Sequence, residues 1–67
     1  MKLHYYRETD SLYIDLAERP SAESRQVAPG VVLDFDANGV LVGIDIDHAS
    51  QKLDLYRVET VALPLAG

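Results

Sequence analysis

Apolar and polar residues alternate along two stretches of the chain, and the clearer stretch runs from Val31 to Asp47. Its centre is Asn38-Gly39, a dipeptide that favours the type I′ turn of a two-residue β-hairpin. In the register set by this turn, the apolar partners share one face: Phe35 with Val42, Leu33 with Ile44 and Val31 with Ile46. The other face pairs Asp36 with Leu41, Asp34 with Gly43 and Val32 with Asp45. Because a one-residue slip would bury carboxylates, the pattern predicts a single register.

The second alternating stretch, residues 2–16, predicts an N-terminal hairpin with residues 8–11 as its turn. The expected register again places the apolar partners on one face: Tyr5 with Ile14 and Leu3 with Leu16. The other face pairs Tyr6 with Tyr13 and His4 with Asp15. Both hairpins can therefore lay their apolar faces against a common core.

The segments outside the hairpins carry weaker signals. Residues 17–26 lack apolar periodicity and predict a loop, and residues 27–30, with Pro29 and Gly30, predict a bend or bulge in one long third strand. Residues 48–53 suit a short helical turn with Ser50 as its N-cap. In the tail, apolar residues recur at helical spacing (Leu55, Val58, Ala62 and Leu65), which favours a short helix or irregular cap over a fifth strand.

These elements predict an α+β fold, a four-stranded antiparallel β-meander of two hairpins with a short C-terminal helical cap, forming one small domain over residues 1–67. A core of this size needs additional stabilisation, and without cysteines the common remaining route is oligomerisation. The net charge of −5 disfavours nucleic acid and anionic membrane surfaces as partners. No apolar run is long enough to span a membrane, so we expect a soluble cytoplasmic protein.

Two patterns are candidates for a functional site, one for metal binding and one for catalysis, and both have simpler structural explanations. The run Asp34-Phe35-Asp36-Ala37-Asn38-Gly39, with Asp45 twelfth from Asp34, fits an EF-hand calcium loop, but its flanks alternate as strands and not as helices. We therefore expect ordinary hairpin chemistry and no metal or cofactor. His48 near Asp45, and His4 across from Asp15, lack the third orienting group and the pocket that catalysis needs, so we expect no enzyme.

The second face of the sheet offers an interaction surface, formed by Tyr6, Tyr13, Val32 and Leu41. One reading is a wetted face of an antiparallel sheet, and the other is an interface with an apolar centre and a charged rim. The second reading predicts a non-enzymatic interaction module, acting as a homodimer or as the acidic partner of a more basic protein. The alternative function is a small ligand-binding or metal-binding domain that uses the carboxylates around the turn at residues 34–39.

The order and spacing of several short segments resemble a family of small bacterial domains of unknown function. The matching segments are Met1-Lys2-Leu3 with Tyr5, residues 10–14, residues 27–34, Asn38-Gly39, residues 42–45 and Ala49-Ser50. This chain has Tyr6-Arg7 where the family often has Asp-Pro in its first turn. The resemblance implies a compact antiparallel sheet with a helical element and no known catalytic residues. Some relatives look like the small partner encoded beside a toxin-like protein, which implies an antitoxin-type binding role.

Overall fold

The computed structural model describes residues 1–64, which form one antiparallel sheet followed by a single helical turn. The elements are β1 (Lys2–Tyr6), β2 (Ser11–Asp15), β3 (Glu23–Ala28), β4 (Val31–Phe35), β5 (Leu41–Ile46) and α1 (Ala49–Lys52). The strands lie in the order β1-β2-β5-β4-β3. The α+β class is confirmed. The four-stranded meander is wrong, because the sheet has a fifth strand and because β2 pairs with the last strand, β5.

The additional strand, β3, occupies residues that the sequence assigned partly to a loop and partly to one long third strand. Its sequence, Glu-Ser-Arg-Gln-Val-Ala, has no apolar alternation because β3 is an edge strand, exposed along its whole length. Pro29 and Gly30 then form a tight turn, in which Gly30 takes a φ of 70° as the third residue of a type II turn does. The proline thus ends one strand and begins the connection to the next.

The central hairpin of β4 and β5 keeps the predicted register from Val31–Ile46 to Asp34–Gly43. Beyond that point a bulge at Val42 makes Phe35 pair with Leu41. The type I′ turn is also wrong: Gly39 alone of the two turn residues has positive φ, and its N–H donates to the Asp36 carbonyl at 3.0 Å. This is a three-residue loop with glycine in the left-handed position.

The N-terminal hairpin forms at the predicted place with its register shifted by two residues. Leu3 pairs with Ile14 and Tyr5 with Leu12, so both faces keep their predicted composition. Tyr6 lies opposite Ser11, and the predicted Tyr6–Tyr13 and His4–Asp15 pairs do not form. The turn comprises residues 7–10, and its last residue, Asp10, takes a φ of 53° and bonds to Ser50 outside the hairpin.

The predicted helical turn is confirmed as α1, but its cap differs. The N-cap residue is His48, in the left-handed conformation with a φ of 52°, and Ser50 lies inside the helix. Residues 53–64 form an irregular segment, without the helix or the strand considered for them. Leu65, the last residue of the predicted helical pattern, lies outside the described residues. Between residues 1 and 64, no helix is long and apolar enough to cross a membrane.

Candidate functional site

The strand registers sort the side chains onto two chemically different faces. We call the first the apolar face; its apolar members include Leu3, Tyr5, Leu12, Ile14, Val31, Leu33, Phe35, Ile44 and Ile46. We call the second the carboxylate face; its members include His4, Tyr6, Tyr13, Asp15, Val32, Asp34 and Asp45. Alternation along each strand produces this separation, since successive side chains point to opposite sides.

The apolar face has little cover within residues 1–64. The only buried apolar side chains among them are Leu12, Val42 and Ala49, and no large side chain there is fully buried. Leu3 and Tyr5 at one edge are 51% and 45% exposed. The apolar side chains of β4 and those of Ile14, Ile44 and Ile46 are only partly buried. Within residues 1–64, the apolar face of the sheet is therefore only partly covered by a second layer.

The irregular C-terminal segment contacts one side of this face. Leu53, Leu55 and Val58 line a groove of about 570 Å³ together with side chains from β1 and β2, namely Leu3, Tyr5 and Leu12. The segment leaves its own apolar groups in water, since Val58 is 70% exposed. The tail is consequently a partial cover of the β1–β2 side and does not complete a second layer.

Asp10 fixes the point where this segment begins. Its carboxylate accepts hydrogen bonds from the Ser50 hydroxyl (2.7 Å), the Ser50 N–H (3.0 Å) and the Tyr5 hydroxyl (2.7 Å). Its backbone carbonyl accepts the N–H of Ala49 at 2.8 Å. The bond from the Ser50 hydroxyl, followed by that from Tyr5, holds the pKa of Asp10 below its ordinary value. The turn between β1 and β2 therefore anchors α1, a tertiary contact that sequence spacing did not indicate.

A polar row crosses the carboxylate face from β2 to β3. The ring of Tyr13 lies over Gly43 of β5, where a Cβ atom would collide with it. The Tyr13 hydroxyl donates to Asp34 Oδ2 at 2.9 Å, and the Ser24 hydroxyl donates to Asp34 Oδ1 at 2.6 Å. Burial, together with the bond to Asp34, raises the pKa of Tyr13 to about 12. The row links four strands and explains the glycine in the middle of a strand.

The structure brings three of the four predicted interface residues to one face. Tyr6, Tyr13 and Val32 lie on the carboxylate face, and Tyr6 is about half exposed. Leu41 does not join them, because the bulge at Val42 pairs it with Phe35 of the apolar face. The predicted surface therefore has three members, and the Tyr13 hydroxyl among them is already bonded within the chain.

The carboxylates of the central turn are engaged within the chain. Asp36 is 9% exposed; its Oδ1 accepts the N–H groups of Asn38 and Val40, both at 2.9 Å, and its Oδ2 meets Arg19 Nε at 3.0 Å. The bond from Val40 is the leading cause that lowers the pKa of Asp36. Among residues 1–64, no three side chains of His, Cys, Asp or Glu gather as a metal site would require. These acceptors build the turn and hold the β2–β3 connection to it.

The two histidines have ordinary surface surroundings. His48 Nδ1 lies 3.7 Å from Asp47 Oδ2, and both side chains are more than half exposed. His4 is exposed and lies opposite Tyr13 in the sheet. Neither position supplies a pocket with an orienting third group.

Comparison with known proteins gives a family and no activity. A family described as a protein of unknown function, DUF2283, matches residues 2–50. Because this match covers more than half of the chain, the chain belongs to that family. The curated proteins and the solved structures gave no match. The family match covers the whole sheet and ends inside α1, so the tail from Gln51 onward lies beyond it.

Proposed function

We propose that this DUF2283 chain is a non-enzymatic protein-interaction module and that it binds through the apolar face of its sheet. The observation that carries the proposal is the incomplete cover of that face by residues 1–64: Leu3 and Tyr5 are about half exposed, and Ile14, Leu33 and Ile44 are only partly buried. Monomeric proteins rarely expose contiguous apolar patches of more than about a few hundred Å², and patches above that size mark interaction sites. A chain of 67 residues also needs burial from outside its own fold.

Two partner classes agree with the sequence. One is a second copy of the chain, and the other is a more basic protein drawn by the net charge of −5. An antitoxin-type role, which the sequence resemblance implies, would belong to the second class. The carboxylate face, with Tyr6, Tyr13 and Val32, is the alternative surface for either partner. A ligand-binding or metal-binding function at residues 34–39 has less support, because the Asp34 and Asp36 oxygens already accept hydrogen bonds.

The proposal is tested with a dye that binds exposed apolar surface, anilinonaphthalene sulfonate, alongside the solution mass. A functional apolar face gives one of two results: an assembled protein that binds little dye, or a monomer that binds dye and loses it when a protein partner is added. Glu in place of Leu33 removes the dye binding of such a monomer, whereas Val32→Glu on the carboxylate face leaves it unchanged. A monomer that binds no dye, and whose behaviour neither substitution alters, would contradict the proposal.

A further inference from the structure

We infer that the partner of the apolar face is a second copy of this chain, packed sheet against sheet so that the two apolar faces form the core of a symmetric dimer. The inference rests on the proposed function, because it names the occupant of that same surface. Three features carry it: the surface area that the chain exposes, the distribution of charge between the faces, and the arrangement of the apolar side chains.

The chain exposes more surface than a folded monomer of its mass is expected to expose. A folded monomer of 7.4 kDa is expected to expose about 4,200 Å², whereas this chain exposes 5340 Å². The excess of about 1,100 Å² is shared between the apolar face and the irregular tail, where Tyr56 is 102% and Val61 84% exposed. A standard interface buries roughly 800 Å² on each partner, and the apolar face would supply part of such an area. Covering the apolar face with a like surface would therefore lower the exposure per chain toward that of an ordinary small protein.

The distribution of charge favours a second copy over a basic protein at this face. Among the charged strand residues, Asp15, Asp34, Asp45 and Lys2 belong to the carboxylate face. The strand positions of the apolar face carry one charge of each sign, Glu23 and Arg25, both on the edge strand β3. Two apolar faces can meet without bringing the acidic groups of the two chains together, and a basic partner would be attracted to the opposite side.

The apolar side chains are arranged as a layer that another sheet can meet. The register aligns Leu3, Ile14, Ile44 and Leu33 in one row across four neighbouring strands, and Arg25 ends the row on β3. The Arg25 guanidinium lies over the Phe35 ring, 4.7 Å from its centroid, so its charge is held against an aromatic side chain beside the edge strand. Stacked sheets pack about 10 Å apart with interdigitated side chains, and this row supplies branched aliphatic groups for such a layer.

The decisive experiment measures contacts between copies in the wild-type protein. Equal amounts of ¹³C-labelled and unlabelled chain are mixed after unfolding and refolding, and nuclear Overhauser effects are recorded only between labelled and unlabelled molecules. We expect intermolecular effects from the methyl groups of Ile14, Leu33 and Ile44. The methyl groups of Val32, next to Leu33 but on the carboxylate face, are the internal control and should give none.

Each other outcome overturns the inference in a distinguishable way. Intermolecular effects from Val32 without any from Leu33 would place the self-association on the carboxylate face. An absence of intermolecular effects in a sample with the mass of one chain would show that no second copy binds. The proposed function would still stand in that case if the monomer bound the apolar dye and released it on binding a protein partner. If the monomer bound neither the dye nor a protein, both the inference and the proposed function would fail.

Discussion

Because Tyr13 packs over Gly43, we expect Gly43→Ala to destabilise the protein, which is the opposite of the usual effect of this substitution in a strand. Alanine in a strand is normally more stable than glycine by about 0.5–1 kcal/mol, and Gly43 has no positive φ that would oppose the change. In this sheet, however, the added methyl group would overlap the Tyr13 hydroxyl and the ring carbon that bears it. Gly43→Ala must therefore displace the ring from Asp34.

The expected loss follows from what the displaced ring gives up. The hydrogen bond from the Tyr13 hydroxyl to Asp34 is part-buried, so its removal costs about 1 kcal/mol. The reduced packing of the ring over the sheet costs roughly another 1 kcal/mol. After the gain from alanine, the net destabilisation is about 1–1.5 kcal/mol, which lowers the melting temperature of a domain of this size by about 4–12 °C.

The assay is a double-mutant cycle with Tyr13→Ala, followed by thermal or urea unfolding at one protein concentration. In the Tyr13→Ala background the obstacle is gone, so Gly43→Ala should be neutral or stabilising. A second measurement is the absorbance titration of the tyrosines: in the Gly43→Ala variant the pKa of Tyr13 should fall from about 12 toward its ordinary value of 10. An equal effect of Gly43→Ala in both backgrounds would refute the described packing.

Three further predictions concern the polar contacts. Asp10→Ala should release α1, seen as faster amide hydrogen exchange at residues 49–53; unchanged protection would contradict the anchoring role of Asp10. Because Asp10 and Asp36 have lowered pKa values, the stability they contribute is present above the ordinary value of 3.8 and is lost as the pH falls below it. Melting curves across that range should show a steeper acid loss for wild type than for Asp36→Asn. Excess calcium should leave the melting temperature and the amide shifts of Asp34 and Asp36 unchanged, and a saturable shift would revive the metal-binding alternative.

The elements that sequence predicted correctly are those with an alternating apolar pattern. The hairpin of β4 and β5 and its register from Val31 to Asp34 follow from the Asn38-Gly39 turn position and from the cost of burying carboxylates, which a one-residue slip would incur. Strand β3 could not be predicted in this way, because an exposed edge strand has no buried face to impose a period on its sequence. The same pattern cannot distinguish registers that differ by two residues, which is why the N-terminal hairpin was misaligned while its faces were right.

The conformation of the central turn and the hydrogen bonds of the candidate site were not predicted, for a different reason. Contacts between separate segments of the chain determine them. Asn38-Gly39 favours a type I′ turn, but the Asp36 carboxylate, held by Arg19, accepts the N–H groups of Asn38 and Val40 and stabilises a longer loop. The alternation placed the side chains of both faces correctly except Leu41, which the bulge at Val42 pairs with Phe35 of the apolar face. The sequence predicted a short helical or irregular cap at the C-terminus, but an irregular segment such as residues 53–64 has no periodicity from which its packing on the sheet can be judged.

The measurement that tests the central claim most directly is the solution mass of the wild-type protein by light scattering across a concentration series at moderate salt. A module whose apolar face binds a second copy should show twice the chain mass of 7.4 kDa. Leu33→Glu should return the mass to that of one chain, and the matched variant Val32→Glu should stay at the doubled mass. A wild-type mass of one chain at every concentration, or a doubled mass that Leu33→Glu leaves intact while Val32→Glu halves it, would contradict the account.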